Sequence, residues 1–263
     1  MPTAVPEPAR GHRPPSGDGV LDRAFALLRA FDADHRSLGL ADLSRRTGIP
    51  RSTALRLART LVGVGALERL DDGRFVVGVG LLGIAALAPR GHGLRAVAMP
   101  YLEDLFHVTR QHVLLAVRDG DEAVLVERLS AQDADPVRFR IGGRMPLAES
   151  GAGLVLLAFA PADVRERVLA DFRPGEALAG VRGTEDLRRA LAEVRRGDYA
   201  VGSGRLPWPR STAAAPVRDA DGVIAALSVV APTDGFDPAR YVPAVRAAAR
   251  AVSRQLAGAP GPG

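Results

Sequence analysis

The chain has 263 residues, 47% hydrophobic and 25% charged, an ordinary balance for a folded protein and enough chain for one large domain or two modest ones. The absence of cysteine excludes disulfides, thiolate catalysis and cysteine-held zinc. The net charge of +5 is carried entirely by arginine, for there is no lysine; a GC-rich coding sequence yields the same bias, so local segregation of charge is more informative than the overall excess.

Residues 1–17 are rich in proline and glycine and lack an apolar stretch, which predicts a disordered tail rather than an export signal. The longest apolar run, residues 76–88, is too short and too interrupted by glycine to span a bilayer, so a cytoplasmic protein without membrane contact is expected. From Val20, apolar residues recur at Ala24, Leu27, Leu28 and Phe31, the spacing of an amphipathic helix, with Asp18 as its N-cap. A second helix is predicted over 40–47, with Leu40 and Leu43 inward and Gly48 as its stop. Pro50 suits the first turn of a third helix, 50–64, closed by Gly65. Residues 67–70 and 74–77 then read as two strands around Asp71-Asp72-Gly73, a small β-wing.

The apolar stretch 81–90 predicts a linking helix, and Gly91-His92-Gly93 a hinge. Beyond it the pattern changes. A helix over 94–109 precedes strands at 113–117, 123–129 and 137–141, then helices at 151–159, 162–171 and 184–196. Strands at 212–218 and 223–230 flank the turn Ala220-Asp221-Gly222, and a last helix covers 238–256. Antiparallel hairpins with helices to one side imply an α+β domain rather than a doubly wound sheet. The boundaries expected are 18–78 for the winged unit, 79–93 for the linker and hinge, 94–257 for the α+β domain and 258–263 for a disordered tail.

Residues 43–67 hold five arginines (Arg45, Arg46, Arg51, Arg56 and Arg59) and no acidic residue. In the third helix Ala54, Leu57, Ala58 and Leu61 share one face and should pack inward. The opposite face carries Ser52, Leu55, Arg56 and Arg59, with Arg51 and Thr53 at the first turn. Such a face can lie in the major groove of double-stranded DNA. Arg51, Ser52 and Thr53 suit phosphates, Arg56 and Arg59 reach base edges, Arg45 and Arg46 flank the backbone, and Arg74 adds a cation on the wing. Leu55 has two readings, contact with a thymine methyl or half-burial against the wing.

The order of these elements resembles the IclR family of bacterial transcriptional regulators. ADLSRRTGIPRSTALRLARTLVGVGALER looks like that family's winged helix-turn-helix, and GRFVVGVGLLGIAAL like its wing and linker helix. MPLAESGAGLVLLAFAP and AAAPVRDADGVIAALSV look like the two signature stretches of its effector domain. The resemblance implies an α+β chain in which a winged helix-turn-helix is joined by a linker helix to a GAF-like antiparallel effector-binding domain. It also implies a homodimer or homotetramer on a palindromic operator, acting as a repressor and controlled by a small molecule, with no cofactor and no metal. Dimer contacts would come from the faces Ala24-Leu27-Phe31 and Leu81-Leu82-Ala85, unless these form the domain's own core.

Members that sense small carboxylates hold them at a Ser-Gly-Ala-Gly turn, present here as Ser150-Gly151-Ala152-Gly153. Helix-start amides of this kind make an anion cradle. Around that turn the family pattern is altered. Gly202 stands where an aspartate is usual, Thr212 where a cysteine is, Ser228 and Val230 at two serine positions, and Ala148 and Leu154 replace a flanking histidine and lysine. The lost polarity implies an effector larger or less polar than glyoxylate, apolar or aromatic, unless the pocket has degenerated and answers no small molecule. Trp208, between Pro207 and Pro209, suits a pocket lid or an oligomer contact. His107 and His112, the closest pair of histidines, do not share a helical face and read as ordinary surface or core residues. A hydrolase is the remote alternative: Ser150-Gly151 lacks the glycine that a nucleophile elbow needs at Ala148, and no phosphate loop or dinucleotide fingerprint is present.

Overall fold

The computed structural model describes residues 19–32, 34–131, 140–175, 180–205 and 208–258, grouped in two compact units that divide between Ala85 and Ala86. Asp18, both terminal tails and most of the strand expected over 137–141 lie outside the described residues; Ile141 itself is in a turn.

In the first unit, helix α1 (Val20–Arg29) begins at Gly19, whose amide donates to the Asp22 carboxylate at 2.9 Å. Strand β1 (Ser37–Leu38) and helix α2 (Leu40–Thr47) follow. Helix α3 (Arg51–Gly63) comes next, then strands β2 (Leu67–Arg69) and β3 (Phe75–Val77). The turn between α2 and α3 has identifiable fasteners. Gly48 adopts the left-handed conformation (φ 70°), and the Ser44 hydroxyl donates to the Ile49 carbonyl at 2.6 Å. Pro50 sits one residue ahead of α3, as its N-cap, so Arg51 opens the helix. β1 was not expected from sequence; at two residues it is too short for a periodic signal, yet it adds a third strand in the order β1-β3-β2.

The core of this unit is Leu27, Leu43, Ala54, Leu57, Leu67 and Phe75, all at 3% exposure or less. Helix α4 (Gly80–Ala86) follows the wing. At its start the backbones cross closely: a Cβ added to Gly78 would lie 2.3 Å from the Gly65 carbonyl oxygen, and one on Gly80 at 2.6 Å. Leu27 and Phe31 are buried in the unit's own core, and Leu81 is half-buried against it. The expected pairing face Ala24-Leu27-Phe31 is therefore intradomain core. Instead, the far side of α1 exposes Val20, Leu21 and Phe25, and α4 exposes Leu82 and Ile84.

In the second unit the expected hinge is a single π-helical turn, Pro89–Gly93, running directly into helix α5 (Leu94–Thr109). Strands β4 (His112–Asp119), β5 (Glu122–Leu129) and β6 (Arg144–Pro146) precede helices α6 (Gly151–Ala158), α7 (Ala162–Asp171) and α8 (Thr184–Gly197). Strands β7 (Ala200–Gly204), β8 (Arg210–Arg218), β9 (Val223–Pro232) and helix α9 (Pro238–Gly258) complete it. The strands form one antiparallel sheet in the order β6-β5-β4-β9-β8-β7.

Helices cover both faces of this sheet, not one as expected. α5 and α9 pack on the side of Val113, Leu115, Ala213 and Leu227; α6, α7 and α8 pack on the side of Leu114, Leu125, Ala214 and Ala226. The reason is visible in the central strands, which are apolar on consecutive positions rather than alternate ones, as strands covered on both faces must be. The alanines of β8 and β9 keep both layers close to the sheet. α6 is buried all round, as a helix sandwiched between sheet and outer helices requires. Glu127, 4% exposed on β5, is ion-paired with Arg95 of α5, and so fastens that helix to the sheet.

Candidate DNA-reading and effector sites

On α3 the inner positions Ala54, Leu57, Ala58 and Leu61 are buried as the spacing predicts, and Arg51, Ser52, Arg56 and Arg59 are exposed. The first turn of α3 has no acidic residue, so nothing on the helix neutralises the partial positive charge of its unpaired amides. Ser52 and Thr53 add hydroxyls at that end. Leu55 is half-buried against the unit's core.

The five arginines divide in a way the sequence does not show. Arg45 is ion-paired with Asp42 at 2.6 Å, and Arg46 is paired with Asp32. Among the described residues no carboxylate lies within ion-pair distance of Arg51, Arg56 or Arg59, leaving three uncompensated cations on one helix. On the wing, Arg74 donates to the Ser37 carbonyl at 2.5 Å, which fixes it to β1. Arg69, which sequence reasoning passed over, stands over the Phe75 ring at 5.9 Å and adds a second wing cation.

Asp32 is a small hub. His35 Nδ1 lies 2.8 Å from its carboxylate, and the amides of His35 and Asp34 donate to it at 2.9 and 3.0 Å. The His35 side chain foremost, with those amides, holds its carboxyl down to about 2. Its folded pKa is below the ordinary value, so its stabilising effect is complete above that value, 3.8, and is lost as pH falls toward 2. A carboxyl ¹³C titration should show Asp32 still ionised at pH 3; an ordinary midpoint near 3.8 would contradict the hub.

In the second unit the eight residues expected around the effector gather on the α6 side of the sheet. Gly202 pairs with Thr212, Thr212 with Val230, and Val230 with His112, a continuous row across four strands. Ser228, 1% exposed, lies one pair further along on the same face. The N-terminus of α6 stands directly over this row: a Cβ on Gly151 would lie 2.5 Å from Thr212 Cγ2, so only glycine permits the approach. Ser150 caps the helix, its hydroxyl oxygen accepting from the Gly153 amide at 3.0 Å. The first-turn amides of Gly151 and Ala152 have no acceptor within the helix.

Trp208 packs against the same core, its ring centroid 6.3 Å from that of His112. His112 is 3% exposed, and its Nδ1 lies 2.8 Å from Ser130 Oγ. Sequence reasoning set this histidine aside, since only the register of β4 against β9 brings it beside Val230. The Ser150 hydroxyl has the Gly153 amide and the Met145 sulfur, at 3.4 Å, as its partners. That is the setting of a helix cap.

A profile of the IclR helix-turn-helix domain matches residues 20–71, and one of the bacterial transcriptional regulator IclR C-terminal domain matches residues 87–254. The chain belongs to the IclR family. It is 30% identical over 244 residues to the glycerol operon regulatory protein of Streptomyces coelicolor, covering 90% of this chain and 95% of that one. It is 27% identical over 259 residues to the HTH-type transcriptional repressor AllR of Klebsiella pneumoniae, covering 94% of each. Among solved structures, an IclR homolog of Microbacterium hydrocarbonoxydans complexed with 4-hydroxybenzoate superposes with TM-score 0.84 at 36% identity, covering 90% of this chain and 99% of that one. Like other IclR proteins it is a transcriptional regulator and not an enzyme. Among the described residues no helix is long and apolar enough to cross a membrane.

Proposed function

We propose that this IclR-family regulator is a cytoplasmic repressor that binds a palindromic operator as a homodimer or homotetramer and is controlled by an aromatic carboxylate. The observation that carries the ligand reading is the cap of α6, with its two amides, over the row Gly202-Thr212-Val230-His112, and the Trp208 ring facing His112. The amides of Gly151 and Ala152 suit a carboxylate, since a helix N-terminus favours negative charge. The Trp208 and His112 rings suit a flat apolar body. The missing polar groups at Gly202 and Val230 leave few partners for a two-carbon acid. The 4-hydroxybenzoate complex of the Microbacterium relative supports the same class of ligand.

The DNA reading rests on α3, whose uncompensated arginines and acid-free first turn suit phosphate and base contacts, with Arg45, Arg46 and Arg74 alongside. For pairing with a second copy, the chain offers the exposed apolar residues Val20, Leu21 and Phe25 of α1 and Leu82 and Ile84 of α4.

Trp208 is the sole tryptophan of the chain, so its fluorescence reports on this site alone. Titration with 4-hydroxybenzoate should change Trp208 emission saturably and alter the mobility shift of promoter DNA at the same concentrations. A response to glyoxylate with none to any aromatic acid would overturn the ligand class. Silence to both would indicate a pocket that answers no small molecule.

A further inference from the structure

A second cleft opens at the edge of the sheet, with Leu154 of α6 in its wall. The sheet ends at β7, an edge strand, with α8 against one face and α9 against the other. Where the two helical layers pass that edge they leave a cleft of about 540 Å³, within the range of small-molecule sites. Its walls are largely apolar: Leu154, Val194, Val201 and Val242, with Pro238 and Pro243 from α9. One cation faces into it. Arg246 lines the cleft with its Cζ 5.7 Å from the centroid of the Tyr199 ring, and among the described residues no carboxylate lies within ion-pair distance of it. Its Nε is buried and, among the described residues, has no hydrogen-bond acceptor.

The corner that sets this pair is rigidly made. Asp198 takes the left-handed conformation (φ 62°) after α8, and its carboxylate accepts two hydrogen bonds from Arg218, at 2.5 and 3.2 Å. Gly197 leaves room for the Tyr199 ring: a Cβ there would lie 2.9 Å from Tyr199 Cε1. The ring is thereby held beneath the guanidinium. Nε itself is sealed from the cleft, so a carboxylate there would meet the guanidinium at its two Nη nitrogens, the planar fork that carboxylates fit best. Glu193, on the rim, is exposed and would repel such an anion weakly.

We infer that the cleft between α8, β7 and α9 is a second ligand site, which takes a carboxylate with an apolar or aromatic body and pairs it with Arg246. Its lining includes none of Ser150, Gly151, Ala152, Thr212 or Trp208, and an occupant would tie the two helical layers together across the sheet edge.

Calorimetry and thermal melts of the full chain with hexanoate, which has no ring for Trp208 and His112 to hold, test this. At tenfold excess over Kd, a bound probe should raise the melting temperature by about 3–6 °C. Arg246→Gln should abolish the shift, Arg246→Lys should retain part of it, and Trp208→Ala should leave it unchanged. Glu193→Gln, which removes the rim charge and touches no core residue, should tighten binding about two- to fivefold. Two results would overturn the inference: no binding of hexanoate up to roughly 10 mM, a concentration at which even a millimolar site fills, or binding that Arg246→Gln leaves as it was.

Discussion

Replacing Arg51, Arg56 and Arg59 together by alanine is expected to weaken binding to promoter DNA roughly a hundredfold near physiological salt. The plot of log affinity against log salt should flatten by about 2.7 if all three sit on phosphates. The reason is their isolation. Each stands exposed on α3 with no carboxylate within ion-pair distance among the described residues, so each brings a full charge to the duplex. Arg45 and Arg46 must first leave Asp42 and Asp32, and Arg45→Ala should flatten the slope by less. Arg56→Ala alone separates two roles. A loss of about 1–3 kcal/mol confined to one base pair marks a guanine contact. A uniform loss across operator variants marks a phosphate clamp. Fluorescence anisotropy over a salt series on operator fragments recovered by genome-wide binding maps decides it, and an unchanged slope for the triple variant would refute the assignment.

Gly153→Ala is expected to cost about 3 kcal/mol of stability, the upper end of what an overpacked core tolerates. A methyl there would lie 2.2 Å from the Leu147 carbonyl oxygen and 2.9 Å from Ser150 Oγ, and the first of these is backbone that cannot swing aside. Relief requires α6 to lift from the segment before it, which would displace Ser150 and the amides of Gly151 and Ala152. The Trp208 response to aromatic acids should therefore weaken along with stability. Gly93→Ala is the control: its backbone is helical and a methyl meets nothing within 4 Å, so it should be neutral or stabilising by up to about 1 kcal/mol. Urea unfolding followed by circular dichroism measures both, and a Gly153→Ala protein as stable as the parent would show that α6 is not seated as tightly as its contacts imply.

The helices were legible because their signals are local. In α3 the 3.6-residue spacing of Ala54, Leu57, Ala58 and Leu61 and the stop at Gly65 are written within a dozen residues. The strands β4, β5, β8 and β9 were legible as apolar, β-branched runs, though their ends shift by up to two residues. β7 was missed, since Ala200–Gly204 has two glycines in five positions and carries little strand propensity. β6 is only three residues long. Apolar content also failed to say which partner a face meets. Leu27 and Phe31 looked suited to a second copy, but they fill the core of their own unit, while Val20, Leu21 and Phe25 are left outside.

By itself the sequence determined the order of elements, the arginine segregation around α3 and the Ser150-Gly151-Ala152-Gly153 turn, since each depends on neighbours along the chain. Only the tertiary structure decided which charges are compensated and which residues share a site. Arg46 meets Asp32 across fourteen positions, and His112 comes beside Val230 through strand pairing across more than a hundred. Arg246 meets Tyr199 only because α9 returns past the end of α8. Such contacts are set by register and packing. A shift of one residue in any strand would send its side chains to the opposite face, and no local pattern records that choice.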